Sequence, residues 1–208
     1  VFTKHFKPMV IGTFIMVATY SLFYIMTAFA QAYSRTPATL SEAGYPMGLG
    51  IPANTFTGLL LISAIVFAIF ISISGLYADK IGRRKWLIWT TVSILIFALC
   101  MPLFLGNGTP TSVFAFLVIG MALMGMTFGP MAALLPELFP TEVRYSGASL
   151  AYNIASIIGA TIAAMISLKI NALYGLMGVG IYLAINAFLT LLALLASKET
   201  KNVDLTQI

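Results

Sequence analysis

The sequence predicts an all-α membrane protein with six transmembrane helices, and three observations carry that expectation. Of the 208 residues, 60% are hydrophobic and only 8% are charged, with a mean hydropathy of +1.00. A typical soluble domain is about 25% charged, and a soluble fold of this length could not hide so much apolar surface; in lipid there is no need to hide it. Apolar runs of the ~20 residues that span a hydrocarbon core as helix recur six times, at about 8–33, 53–77, 86–105, 111–135, 145–168 and 174–197. The cationic residues, finally, cluster on one side of the topology those runs imply.

The first run follows Lys4, His5 and Lys7 and contains Ala28-Phe29-Ala30, which has the form of a signal-peptidase site. It is too long for a signal h-region of about 7–15 residues, and more runs follow, so it reads as a span. Because the chain begins at Val1 rather than Met, a preceding segment is expected. Pro8 and Pro52 mark helix starts, where a missing N–H is tolerated. Residues 34–51, rich in Gly, Pro, Ser and Thr with Arg35 and Glu42 as their only charges, are expected to form a mobile surface loop with a short turn near Leu40. Asn54, Thr55 and Thr57 open the second span as candidate caps. Cys100 lies in the third run as a packing residue; a single cysteine allows no intrachain disulfide or cysteine metal site. GNGTP, 106–110, makes a short loop. Gly125 and Gly129 in the fourth run, and Ala151, Ala155, Gly159 and Ala163 in the fifth, recur every four residues, with Ser156, Ala160 and Ala164 beside them. Such small faces let helix backbones approach closely in lipid. Asn186 and Thr190 in the last run are assigned structural roles.

With six spans, Lys4, Lys7, Lys80, Arg83, Arg84, Lys85, Arg144, Lys198 and Lys201 fall on one side, and only Arg35 and Lys169 on the other. The positive-inside bias puts both termini in the cytoplasm. The net charge of +5 then reflects topology and anionic lipid rather than nucleic acid. One histidine, His5, with no acid nearby forms neither a metal site nor a catalytic triad; no cofactor is expected, and no nucleophile–base pair at depth suggests an enzyme.

Two loops gather charge on the cytoplasmic side. GLYADKIGRRK, 75–85, carries Asp79 and four cations, for a net +3. PELFPTEVRYSGAS, 136–149, carries Glu137, Glu142 and Arg144, for a net −1. In the first, Gly75 is expected to allow a close helix crossing, Asp79 to cap a helix, and Gly82 to permit a tight turn. Pro136 and Pro140 are expected to stop the fourth span continuing as regular helix. Loops of opposite sign at adjacent helix ends can pair, and partly desolvated pairs are stronger than exposed ones.

Gly75-x-x-x-Asp79-Lys80-x-Gly82-Arg83-Arg84 resembles the signature loop of the major facilitator superfamily. Pro136-Glu137-Leu138-Phe139-Pro140-Thr141-Glu142-Val143-Arg144 resembles the matching loop of its sugar-porter and metabolite:proton symporter branches, and the continuation through Tyr152 is most like the symporters. Lys80 stands where Arg is commoner, and the tryptophan often found near Gly129-Pro130-Met131 in sugar porters is missing. The resemblance covers essentially residues 1–208 and implies spans seven to twelve of a twelve-span carrier, the C-terminal half-bundle, with an N-terminal six-helix half as its partner. It further implies a bacterial inner-membrane location and a cytoplasmic gate of Asp79, Arg83, Arg84, Glu137, Glu142 and Arg144.

No ionisable residue lies deep in any span, so a proton-coupling acid is expected in the other half. Tyr20, Tyr24, Thr27 and Gln31 share one helical face of the first span, and four hydrogen-bonding groups in a row are unsuited to lipid. The resemblance places that span on the central cavity. Thr127, Tyr152, Asn153 and Ser156 complete the candidate substrate set. The expected function is secondary transport of a small polar metabolite such as an organic acid or betaine, with protons as the coupling ion. A facilitative sugar-type uniporter and a self-contained six-span channel or scaffold are the alternatives.

Overall fold

The computed structural model describes residues 5–197 and Glu199, without the side chains of residues 160–162 and 164. Lys4, Lys198, Lys201 and the side chains of Ala160 and Ala164, used above, lie outside the described residues. Those described are helical apart from loops, turns and one bridge between Leu40 and Pro46. Helix α1 (Phe6–Tyr24) passes through a π turn (Ile25–Phe29) into α2 (Ala30–Arg35), followed by α3 (Ala53–Ile81), α4 (Arg83–Leu99), α5 (Met101–Leu105) and α6 (Pro110–Glu137). A 3-10 turn (Thr141–Val143) leads into α7 (Arg144–Ser156), then a second π turn (Ile157–Thr161) and α8 (Ile162–Ala196).

Among the described residues, four stretches are long and apolar enough to cross a membrane: Phe6–Arg35, Ala53–Ile81, Pro110–Glu137 and Met165–Ala196. The most apolar, within α3, is also the least buried, 11% against 72% for the first stretch. Leu61, Ile62, Ile65, Ile69 and Leu76 all face outward, as suits a lipid-facing helix. The third expected span is helical but breaks at Cys100, two residues before Pro102. The boundary expected between the fifth and sixth lies within α8 at Gly175, whose φ of +67° and ψ of −171° leave the helical region.

Small residues set the tightest crossings. A Cβ on Gly125 would meet the Phe67 carbonyl oxygen at 2.7 Å, and one on Gly129 would meet the Ile71 oxygen at 2.6 Å and the Gly75 nitrogen at 2.8 Å. Helix α6 therefore lies backbone to backbone on α3, and Ser74 Oγ donates across to the Gly125 carbonyl at 3.0 Å. Gly75 itself has open space where a Cβ would stand; the crossing expected of it is made by its two counterparts on α6. Ala151, Ala155, Gly159 and Ala163 are all buried. Gly159 sits against Val17, Tyr20 and Ser21 of α1 within the second π turn.

Asn186 Nδ2 donates to Ser21 Oγ at 2.9 Å. The Thr190 hydroxyl donates to the Phe14 carbonyl at 2.6 Å and accepts from the Ala18 N–H at 3.1 Å. It thus bridges both ends of one i to i−4 step of α1, tying α8 to α1 as the structural assignment of these residues requires.

Two local expectations are corrected. The loop 34–51 is pinned rather than mobile. Leu49 and Ile51 donate their N–H groups to the Tyr33 and Ser34 carbonyls, Asn171 Nδ2 holds the Pro46 carbonyl at 2.9 Å, and Tyr45 packs on Gly175. The start of α3 has no side-chain cap; Thr57 instead bonds back to the Ala53 carbonyl at 2.9 Å.

Candidate functional site: the charged end and the cavity above it

The turn from α3 to α4 is made at Gly82, whose φ of +112° is closed to L side chains without strain. It places Asp79, Arg83 and Arg84 at one end of the bundle. Arg83 Nε donates to Asp79 Oδ1 at 3.1 Å, one helical turn back, and Arg83 Nη1 pairs with Glu137 Oε1 at the end of α6. Asp79 is therefore an i,i+4 partner rather than a cap. The side chains of Arg83 and Glu137 are 19% and 11% exposed, whereas Asp79 is 62% exposed. Burial opposes the charge on Arg83, but hydrogen bonding and attraction from Glu137, then Asp79, outweigh it and hold the guanidinium above its ordinary pKa.

Arg84 turns the other way, donating from Nε to the Leu194 carbonyl at 2.8 Å and from Nη2 to the Leu195 carbonyl at 2.9 Å. It thereby meets the negative end of α8. Glu199 reciprocates, its Oε1 accepting the Arg84 N–H at 3.4 Å beside Gly82, at the positive end of α4. Sequence reasoning missed Glu199 because nothing local marks a residue beyond the last span as a partner for a turn more than a hundred positions earlier.

Helix α6 continues through Pro136 to Glu137, two residues beyond the expected end, and Phe139 is then fully buried against Gly147. That buried ring folds the chain back into α7. Arg144, the first residue of α7, donates from Nε to the Phe139 carbonyl at 3.3 Å, and Glu142 is exposed in the intervening turn. The ion pairs of Arg83 with Asp79 and Glu137, and the bonds of Arg84 to the end of α8, thus run between helix ends within this chain.

Next to this end lies a cavity of about 740 Å³. One wall is a face of α6, with Phe128, Met131, Ala132, Leu135 and Pro136 at helical spacing. The other is a face of α7, with Arg144, Tyr145, Ala148, Ser149, Tyr152 and Asn153, and Met16 and Thr141 complete the lining. Asn153 Nδ2 donates to the Ser149 carbonyl at 2.8 Å. The wall is mainly apolar with a few convergent polar groups, the usual make-up of a small-molecule site.

Of the substrate residues expected from sequence, Tyr152 and Asn153 line this cavity. Tyr20 is buried behind Tyr152 with ring centroids 5.4 Å apart, edge to face, and its hydroxyl finds no hydrogen-bond partner among the described residues. Tyr24, Thr27, Gln31, Thr127 and Ser156 are not on its wall. Thr27 bonds back to the Phe23 carbonyl at 2.7 Å, and buried Thr127 to that of Met124 at 2.7 Å. The expected stripe also crosses the first π turn. One residue more per turn rotates everything beyond it by about 100° relative to a regular helix, so Gln31 does not continue the face begun by Tyr20. The α6 wall was legible in the spacing of residues 128–136, but it was overlooked because it is apolar.

A family model described as "Sugar (and other) transporter" matches residues 48–208. The chain belongs to this family. It is accordingly an integral membrane protein of the major facilitator superfamily. A Haemophilus influenzae relative named for metabolite transport is 87% identical over all of this chain and 48% of its own length. The inner membrane metabolite transport protein YhjE of Escherichia coli is 52% identical over 98% of this chain and 45% of its own. The proline/betaine transporter of Salmonella typhimurium is 28% identical over 96% of this chain and 38% of its own. The chain spans about half the length of the first two relatives. No solved structure matches it.

Proposed function

We propose that this chain is the C-terminal six-span half of a secondary active transporter that moves a small polar metabolite across the bacterial inner membrane by alternating access, driven by protons. The observation that carries the reading is the adjacency of a mainly apolar, polar-tipped cavity to an ion-paired helix end, within a chain of transporter family. The relatives' names, metabolite transport and proline/betaine transport, support the substrate class. On this reading the α4–α5 rod and the α7 rod are the third and fifth spans, completing six with the four long stretches, and the charged end faces the cytoplasm together with both termini. Asp79, Arg83, Glu137 and Arg144 form the gate proper, with Glu142 at its rim. Arg84 is a fixed strut to α8. The substrate leaves past Arg144, which belongs to both cavity and gate. Tyr20 supports Tyr152 from behind, and Tyr24, Thr27, Gln31 and Ser156 serve the deeper pathway shared with the N-terminal half, while Thr127, buried within this half, acts by packing.

Uptake into proteoliposomes by the complete carrier tests this, with organic acids, betaines and sugars offered with and without an inward proton gradient. Accumulation that collapses with the gradient is expected. Equilibration indifferent to the gradient would instead establish the second reading, a facilitative sugar-type uniporter, a substrate class that the family's description, sugar and other transporters, includes.

A further inference from the structure

Helix α6 contains two prolines, Pro130 and Pro136. A proline has no N–H, so each leaves the carbonyl four residues earlier without its regular helical donor. The two carbonyls meet different fates. That of Met126, opposite Pro130, receives the Trp86 indole N–H from α4 at 2.9 Å. That of Ala132, opposite Pro136, receives no side-chain donor among the described residues. Ala132 is exposed, and both it and Pro136 line the cavity. A helical carbonyl points along the axis toward the residue four positions on, so the Ala132 oxygen is directed at Pro136, and both residues belong to the cavity wall.

We infer that the Ala132 carbonyl is a substrate-binding acceptor at the inner mouth of the cavity, selecting ligands that carry an N–H or O–H donor. The inference rests on the transporter reading above and adds to it a discriminating group. The facing wall supplies Arg144, whose guanidinium has five donors and can serve a carboxylate alongside other partners. Phe128 and Tyr152 contribute the apolar remainder of the wall. An acceptor on one wall and a cation on the other suit a small zwitterion with a primary or secondary ammonium. A quaternary ammonium, having no N–H, gains nothing from the carbonyl, whereas a charge-assisted hydrogen bond there is worth about tenfold or more in affinity.

Substitution P136A returns an N–H to the Ala132 carbonyl and removes the acceptor. The test is equilibrium binding of proline, a secondary ammonium, and glycine betaine, its N–H-free counterpart, to the purified complete carrier. P136A is expected to weaken proline binding about tenfold or more while leaving glycine betaine unchanged. P130A, whose partner carbonyl is already occupied by Trp86, is expected to change neither. Should P136A not fold, the wild type carries the same test: N,N-dimethylproline, the same ring without an N–H, is expected to bind about tenfold or more weakly than proline, and equal binding of the two would overturn the inference. Equal changes for both ligands, or none for either, would overturn the inference. Failure of the wild type to bind proline or betaine would overturn the zwitterion class assigned to this mouth. The transporter reading is judged separately by the uptake panel, which does not depend on these two ligands.

Discussion

Removing the Arg83–Glu137 pair by R83Q, E137Q and their combination forms a double-mutant cycle whose size follows from its burial. Fully exposed pairs couple by about 0–1 kcal/mol, while breaking a buried pair by removing one partner costs about 3–5 kcal/mol. At 19% and 11% exposure this pair stands nearer the buried limit, but Asp79 remains on the Arg83 fork and partly compensates when Glu137 is lost. A coupling of about 2 kcal/mol is expected, with each single substitution costing slightly more. The Asp79 contact, 62% exposed on the acid side, adds no more than about 0.5 kcal/mol. The assay is denaturant unfolding of the complete carrier in detergent micelles, at low and at about 1 M salt, where the screening length falls to about 3 Å. A desolvated pair keeps most of its coupling in salt. Because Arg83 is protonated more firmly folded than unfolded, its contribution is fully present below the unfolded pKa. It is lost only as pH rises through the still higher folded value, so raising the pH from 7 to 9 leaves the coupling unchanged. A coupling below about 0.5 kcal/mol, or one abolished by salt, would refute the argument that this charged end is a sequestered element.

Two further outcomes follow from the packing. G129A is expected to cost about 1–3 kcal/mol, because the new Cβ meets the Ser74 hydroxyl and also the Ile71 and Gly75 backbone, which rotation of the hydroxyl does not relieve; G75A, into open space, should be near neutral in the same unfolding assay, and similar losses in both would refute the crossing geometry. W86F removes the donor on the Met126 carbonyl and is expected to cost about 1–2 kcal/mol, with P130A in the same chain recovering part of it by restoring the helical N–H; absence of that recovery would mean the indole acts by packing alone.

The membrane character, the helical runs and the charged loops were all legible in the sequence, for local reasons. Hydropathy over about twenty residues depends on nothing but those residues, and a four-residue spacing of Ala and Gly states which face can come close. That spacing named Ala151, Ala155, Gly159 and Ala163 correctly, and the two loops named Arg83 and Glu137 before any contact was visible. Tertiary structure decided what local patterns cannot contain. Gly75 and Gly129 look equivalent as glycines, yet only at Gly129 would a Cβ run into the facing backbone. Arg83 and Arg84 are adjacent and chemically identical, but consecutive residues at a helix start point in different directions, one to Glu137 and the other to the end of α8. The π turn at Ile25–Phe29 rotates Gln31 off the face its spacing implied, because one extra residue in the turn shifts everything beyond it around the axis. Pro130 and Pro136 free identical carbonyls. Which one receives a side-chain donor depends on where Trp86, forty residues from Met126 in sequence, is carried by the fold.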